Sequence, residues 1–229
     1  MSTSAPPQPP VSQAPGIGRG ARGTFLCLEG PDGAGKSTQA ARLVELLERL
    51  GLGVVSCRDP GGTPLGDRLR SLLLDRDGVP MGMRAEMLLY MASRAQMVDQ
   101  IIRPGLESGK VVVSDRYLLS NVVYQGHAGG LEVEGLWGVG RAATGGLMPD
   151  LTFLVDVPEA VARARTGGPR DRIEDRGEGY RSRVRHGFLE AARSYPGPIV
   201  VIDGAQSPDE VANRIEGEVL RVLGIGPRS

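Results

Sequence analysis

Within eight consecutive residues, Gly30-Pro31-Asp32-Gly33-Ala34-Gly35-Lys36-Ser37, the chain sets glycines, a lysine and a hydroxyl at the G-x-x-x-x-G-K-[ST] spacing. Glycines let a backbone fold tightly enough to aim consecutive N–H groups at phosphate oxygens, and a following helix N-terminus favours negative charge. Lys36 would reach the β- and γ-phosphates of a nucleoside triphosphate, and the Ser37 hydroxyl would ligate Mg²⁺. Gly30, Pro31, Asp32, Gly33, Ala34, Gly35, Lys36, Ser37 and Thr38 are therefore candidate ATP-binding residues. The alternative, a glycine-rich turn that binds nothing, does not account for a lysine and a serine placed together at the turn's end.

This loop needs a strand before it and a helix after it. Thr24 to Glu29 is short, apolar and β-prone, and Thr38 to Leu50 carries Leu43, Leu46, Leu47 and Leu50 on one helical stripe. Further strands are predicted at Gly53–Arg58, Lys110–Ser114, Leu151–Val157 and Ile199–Asp203. Helices are predicted at about Leu65–Leu74, Met83–Glu107 and Pro208–Leu223, with helical segments between Ser120 and Thr144. Strand alternating with helix implies a parallel sheet covered on both faces, with ligands at the carboxyl ends of its strands.

The chain has 229 residues, enough for one α/β domain with a substantial core. Lys plus Arg (27) equals Asp plus Glu (27), so no global basic field recruits nucleic acid or membrane. No run reaches the length of a membrane-spanning helix and no signal peptide is apparent, so a cytoplasmic protein is expected. Residues 1 to about 22 are rich in Pro, Ser, Gln and Gly and are expected to be a disordered tail, followed by a single domain over 23–225. Cys27 and Cys57 show no metal spacing and read as buried free thiols.

Three features narrow the function. No Asn-Lys-x-Asp guanine-reading sequence occurs, which argues against a typical GTPase. The third strand ends in Ser114-Asp115-Arg116-Tyr117, an acid and an arginine at the sheet edge where phosphates would lie. Between strands four and five, Arg163, Arg165, Arg170, Arg172, Arg176, Arg181, Arg183 and Arg185 crowd a segment broken by glycines. Such a segment, about 163–178, suits a lid that neutralises a transferring phosphoryl group and excludes water.

Taken in order, these pieces resemble the thymidylate kinase family from about Thr24 to Leu223. The carriers are Glu29 to Thr38, then Arg58-Asp59-Pro60-Gly61-Gly62-Thr63, Asp115-Arg116-Tyr117, Ser120-Asn121, Tyr124-Gln125-Gly126 and Asp171-Arg172-Ile173-Glu174. The resemblance implies a P-loop nucleoside-monophosphate-kinase-like fold, with a five-stranded parallel sheet, helices on both faces and an Arg-rich lid. It implies phosphorylation of dTMP by ATP with Mg²⁺, in dTTP synthesis, by a homodimer.

Residue by residue, Arg116 and Arg70 match arginines on the acceptor monophosphate, where a guanidinium fork suits a dianion. Asp32 matches the carboxylate on the deoxyribose 3′-hydroxyl. Tyr90 and Arg94, spaced i, i+4, match a stacking aromatic and an arginine on a thymine carbonyl, although Phe is common where Tyr90 stands. Asn121 and Gln125 match readers of the N3–O4 edge, and Tyr124 matches a ring packed against C2′. Asp59 and Asp115 match acids near metal and phosphates, and Asp115 could hold Mg²⁺ through water. Gly33-Ala34 leave the loop without an arginine, so the resemblance is to the bacterial type, whose catalytic arginine lies in the lid. Arg163, Arg165 and Arg170 are the candidates, and Arg172 is less suited because Asp171 and Glu174 flank it. Two alternatives stay open: a kinase for another nucleotide or nucleoside, and a nucleotide switch without turnover.

Overall fold

The computed structural model of the protein describes residues 22–76, 78–166 and 172–226. The expected tail, up to residue 21, and residues 167–171 with Arg170 among them lie outside the described residues.

Five strands, β1 (Phe25–Glu29), β2 (Val54–Arg58), β3 (Val111–Asp115), β4 (Leu151–Asp156) and β5 (Ile199–Asp203), form one sheet in the order β2-β3-β1-β4-β5. Every pairing is parallel. The central strand β1 is buried along its whole length, which is why its sequence is nearly continuous in apolar residues. Its side chains alternate between two cores. Leu26 and Leu28 face helices α1 (Lys36–Arg49) and α9 (Pro208–Val222), where Leu43, Leu47, Val211, Ile215 and Val219 close one layer. Phe25 and Cys27 face the opposite layer, built on α3 (Met83–Met97) and α6 (Val133–Thr144) with Met91, Met97 and Leu136. Both cysteines are free and buried, as their apolar settings predict.

Helix starts follow their capping residues. In α2 (Pro64–Leu74) Pro64 occupies the first turn and the Gly66 N–H donates to Thr63 Oγ1 at 2.9 Å. At α9 the Ser207 and Glu210 side chains form a reciprocal capping box.

Two departures from the sequence reading bear on the site. The expected helix from Met83 to Glu107 contains a π-helical turn, Val98–Ile102, before α4 (Arg103–Glu107). A second π-helical turn, Val122–His127, follows the short α5 (Leu118–Asn121) and carries Tyr124 and Gln125. Such turns often stand at functional sites because they re-aim side chains within a helix. The arginine-rich segment, in turn, is largely helical: α7 (Glu159–Arg165) precedes residues 167–171, and α8 (Glu178–Arg193) follows. Arg181, Arg183 and Arg185 thus belong to α8, where Arg185 makes a two-pronged pair with Asp156 at the end of β4, at 2.9 and 2.8 Å.

The register brings the carboxyl ends of the strands to one edge. Asp115 stands opposite both Leu28 and Arg58, and Glu29 opposite Leu154. Gly30, Asp59 and Arg116 therefore leave the sheet side by side.

Candidate active site

The glycine loop joins β1 to α1, and its glycines are required by contact as well as by conformation. Gly30 has φ 138° and Gly33 φ 76°. A Cβ on Gly30 would stand 2.3 Å from the Val155 carbonyl oxygen, and one on Gly33 would stand 2.4 Å from that of Ala162. The loop therefore lies directly against β4 and α7. Ala34 completes the contact, packing with Val155, Val157 and Ala162.

At the loop's end Lys36 is buried and its Nζ donates to the Pro31 carbonyl at 2.8 Å. Burial, with the Arg116 charge beside it, pushes the Lys36 ammonium down to about 8, against the opposing pull of Asp32, Asp115 and Glu29. Ser37 Oγ donates to Asp115 Oδ2 at 2.5 Å. Of the two candidate acids, Asp115 is therefore the one beside the Ser37 hydroxyl. Asp59 is turned away: it accepts from Arg94 Nε at 2.5 Å through Oδ2. Its buried Oδ1 has no hydrogen-bond partner among the described residues. Burial raises the Asp59 carboxyl against the opposing pull of Arg94.

Arg116 holds the centre of the site with a left-handed backbone, φ 73°. Its guanidinium is spread over four acceptors. Nη1 donates to Gly30 O at 2.8 Å and Ser120 Oγ at 3.0 Å, and Nη2 donates to Asp32 Oδ1 and, at 3.4 Å, to the Tyr124 hydroxyl. The same hydroxyl donates to Asp32 Oδ2 at 2.9 Å, and the guanidinium lies 5.3 Å from the Tyr124 ring centre. Burial works against the Asp32 carboxylate, but Arg116 and Lys36 overcome it and hold its carboxyl below the usual range.

Beyond Arg116 the cleft narrows into a polar pocket. Asp32, Asp59, Arg70, Tyr90, Arg94, Arg116, Asn121, Tyr124 and Gln125, all named from sequence, line one cavity with Pro60, Leu74, Ser120 and Ile173. It holds about 550 Å³ of space free of protein atoms, part of it open to solvent. That lies within the range of small-molecule sites. Arg94 is 1% exposed; it donates from Nη1 to Asn121 Oδ1 at 3.0 Å and from Nη2 to Tyr117 O at 3.3 Å. Asn121 Nδ2 donates to Gln125 Oε1 at 2.5 Å. Arg70 Nη1 donates to the Pro60 carbonyl at 3.0 Å.

The lid candidates behave differently. Arg163 pairs with Glu178 at 2.6 Å, and Arg165 Nη1 donates to the Gly204 carbonyl at 2.7 Å. Arg172 turns back toward α2 and α3, donating from Nε to Leu73 O at 2.9 Å and from Nη2 to Glu86 Oε2 at 2.6 Å. Neither Arg163 nor Arg165 is hydrogen-bonded to the glycine loop, although α7, which carries both, touches it at Gly33.

Two carboxylates given no role by the sequence reading organise the site. Glu29, at the end of β1, accepts from the Tyr117 and Ser120 N–H groups at 2.9 and 3.2 Å and from Ser120 Oγ at 2.5 Å. It thereby ties the start of α5 to the glycine loop and supports the Ser120 hydroxyl that Arg116 uses. Burial pushes its carboxyl up to about 7, against those hydrogen bonds and the pull of Arg116. Glu86, fully buried on α3, accepts from Gln125 Nε2 at 2.8 Å. Its signal was spacing: Glu86, Tyr90 and Arg94 stand at i, i+4 and i+8 on one helix face.

The comparisons agree with this geometry. The family model described as thymidylate kinase matches residues 28–215. A protein named thymidylate kinase from Rhodopirellula baltica is 44% identical over 193 residues, which are 84% of this chain and 78% of that one. One of the same name from an Exiguobacterium species is 45% identical over 195 residues, 84% of this chain and 92% of its own. A third, from Deinococcus radiodurans, is 44% identical over 196 residues, 85% and 95% of the two chains. With a glycine loop at the head of a five-stranded parallel sheet and a polar cleft beside it, the chain belongs to the thymidylate kinase family.

Proposed function

We propose that the protein transfers the γ-phosphoryl group of ATP to dTMP, giving ADP and dTDP, as a step toward dTTP. The observation that carries this reading is the cavity in which Asp32 of the phosphate loop and Arg116 meet the buried side chains of Arg94, Asn121 and Gln125. The acceptor phosphate is already nucleophilic, so catalysis is alignment and charge neutralisation, with no covalent intermediate. In this reading the loop N–H groups and Lys36 take the β- and γ-phosphates. Arg116 releases Asp32 to grip the acceptor phosphate with Arg70, and Asp32 turns to the 3′-hydroxyl. Arg94, Asn121 and Gln125 read the base, Tyr90 stacks on it, and Tyr124 fills the space a 2′-hydroxyl would need.

Mg²⁺ fits the oxygens of Ser37 and Asp115, a hydroxyl and a carboxylate 2.5 Å apart, and these residues would hold it, directly or through water. Among the described residues no group of three or more His, Cys, Asp or Glu side chains could hold an ion. That suits a cation bound chiefly by substrate phosphates and water. When bound, Mg²⁺ neutralises charge on the β- and γ-phosphates.

Among the described residues no helix is long and apolar enough to cross a membrane. A cytoplasmic homodimer, with residues 23–225 as one catalytic domain, completes the proposal.

A coupled ADP-release assay with each nucleoside monophosphate as acceptor tests the reaction. Turnover should be highest with dTMP, and dUMP should be weaker because one methyl in an apolar contact is worth about 1–3 kcal/mol. Equal use of purine and pyrimidine monophosphates would point to the broader-kinase alternative, and ATP binding without turnover to the switch.

Arg116→Ala should weaken dTMP binding by at least about 2 kcal/mol, roughly 30-fold, by removing a buried charge partner. ATP affinity should barely change. Calorimetric titration of each nucleotide reads both numbers, and undiminished dTMP affinity would rule out Arg116 as the acceptor clamp.

A further inference from the structure

We propose that Glu86 is a positioning residue that sets base specificity by fixing the direction of the hydrogen-bond chain that reads the pyrimidine. The inference rests on the dTMP reading above and adds a residue to it.

The chain runs from a group that can only donate to a group that can only accept. At one end, Arg94 Nη1 donates to Asn121 Oδ1 at 3.0 Å. Asn121 Nδ2 then donates to Gln125 Oε1 at 2.5 Å, and Gln125 Nε2 donates to Glu86 Oε1 at 2.8 Å. A guanidinium has no acceptor, and an ionised carboxylate has no donor. Asn and Gln, by contrast, can turn either pole to a neighbour. With Arg94 at one end and Glu86 at the other, only one orientation of both amides satisfies every link. Reversing them would set N–H against N–H at Arg94 and oxygen against oxygen at Glu86.

The setting keeps Glu86 in that role. Its side chain is wholly buried, so water does not compete for its oxygens. Its Oε2 is taken by two guanidiniums, Arg172 at 2.6 Å and Arg176, leaving Oε1 for Gln125. Arg176 is braced in turn, donating from Nη1 to the Tyr180 hydroxyl at 2.9 Å, and that hydroxyl donates to the Tyr124 carbonyl at 2.6 Å. The two cations come from the turn between residues 167–171 and α8, so the acceptor end of the chain is neutralised by the foot of the lid.

Fixed polarity has a chemical consequence. Thymine presents an N3–H donor beside a C4 carbonyl acceptor, whereas cytosine presents an N3 acceptor beside a C4 amino donor. An Asn–Gln pair free to flip could serve either edge. A pair locked from both ends serves one, and the other meets like poles in a buried site, where unpaired polar groups are costly.

The test measures kcat/KM for dTMP and dCMP, with melting temperature, in the parent, Glu86→Gln and Glu86→Asp. In Glu86→Gln the two guanidiniums hold the new amide's oxygen and leave its NH₂ facing Gln125, which turns the chain's acceptor end into a donor, so the dTMP-to-dCMP ratio should fall at least about tenfold. The change should sit mainly in KM. Glu86→Asp keeps an acceptor-only group and should hold the ratio within about threefold of the parent. An unchanged ratio in Glu86→Gln, or an equal fall in both variants, would overturn the inference while leaving the dTMP reaction standing. A parent that does not turn over dTMP would overturn the reaction and the inference together. If Glu86→Gln fails to fold, ¹⁵N spectra of the parent decide: one Gln125 Nε2 proton should exchange slowly with solvent, and rapid exchange of both would refute the lock.

Discussion

Lys36→Ala is expected to lower phosphoryl-transfer turnover by about three orders of magnitude, the scale of removing a preorganised charge from a water-excluded site. Lys36 is buried beside Asp32, Asp115 and Glu29, and its Nζ rests on the Pro31 carbonyl at 2.8 Å. That carbonyl belongs to the loop itself, so the ammonium is held over the loop ready for exchange onto phosphate. The melting temperature should change little, because removing a desolvated ammonium offsets the loss of one hydrogen bond. Turnover of ATP with dTMP, measured beside thermal melting, separates the two effects. Near-normal turnover in a folded variant would reject Lys36 as the residue on the transferring phosphate.

The second large effect concerns the charge that Gly33 cannot supply. With φ 76° and the Ala162 carbonyl in the space a Cβ would fill, no arginine side chain can stand at Gly33 in this fold. In the proposed reaction the lid provides it. One of Arg163→Ala, Arg165→Ala and Arg170→Ala should lower kcat by about 10³ or more, as arginines on a transferring phosphoryl group do. Affinity for dTMP alone should stay within a factor of about 2, since the lid serves the donor half; a factor of 10 would be 1.4 kcal/mol. Recruiting Arg163 would cost little, because its pair with Glu178 joins side chains 51% and 67% exposed, and such pairs contribute about 0–1 kcal/mol. Single-turnover kinetics with each variant reads the effect, and normal rates in all three would refute a lid source of charge.

How much of this was legible in the sequence depended on how far apart the cooperating residues lie. The phosphate loop is contiguous, and its physics is written in eight adjacent side chains. That Tyr90 and Arg94 share a face was readable because a helix brings i and i+4 together, whereas the roles expected of them came from the family resemblance. Glu86 lies one turn earlier on the same face, but a carboxylate on a helix ordinarily reads as a solvated surface residue. What buries it comes from Gln125, Arg172 and Arg176, more than thirty residues away. The roles of Asp59 and Asp115 could not be separated along the chain. The register that sets Arg58 opposite Asp115 leaves one acid facing Ser37 and the other facing Arg94. Helix α8 was hidden by its own charge: its buried stripe of Tyr180, Val184, Phe188 and Ala191 is regular, yet its arginines read as part of a basic cluster and no helix is predicted there.

The left-handed backbone of Arg116 has a consequence for how this protein can be stabilised. A non-glycine residue at φ 73° costs about 1–2 kcal/mol relative to a right-handed conformation, and glycine would escape that cost. Position 116 is thus a place where conformational comfort and chemistry select different residues. Glycine would relieve the strain but would strand the Asp32 carboxylate and the Gly30 and Ser120 acceptors that the guanidinium serves, and charged hydrogen bonds of about 1.5–3 kcal/mol each outweigh that relief. Thermostabilising libraries of this enzyme are best built with residue 116 held fixed.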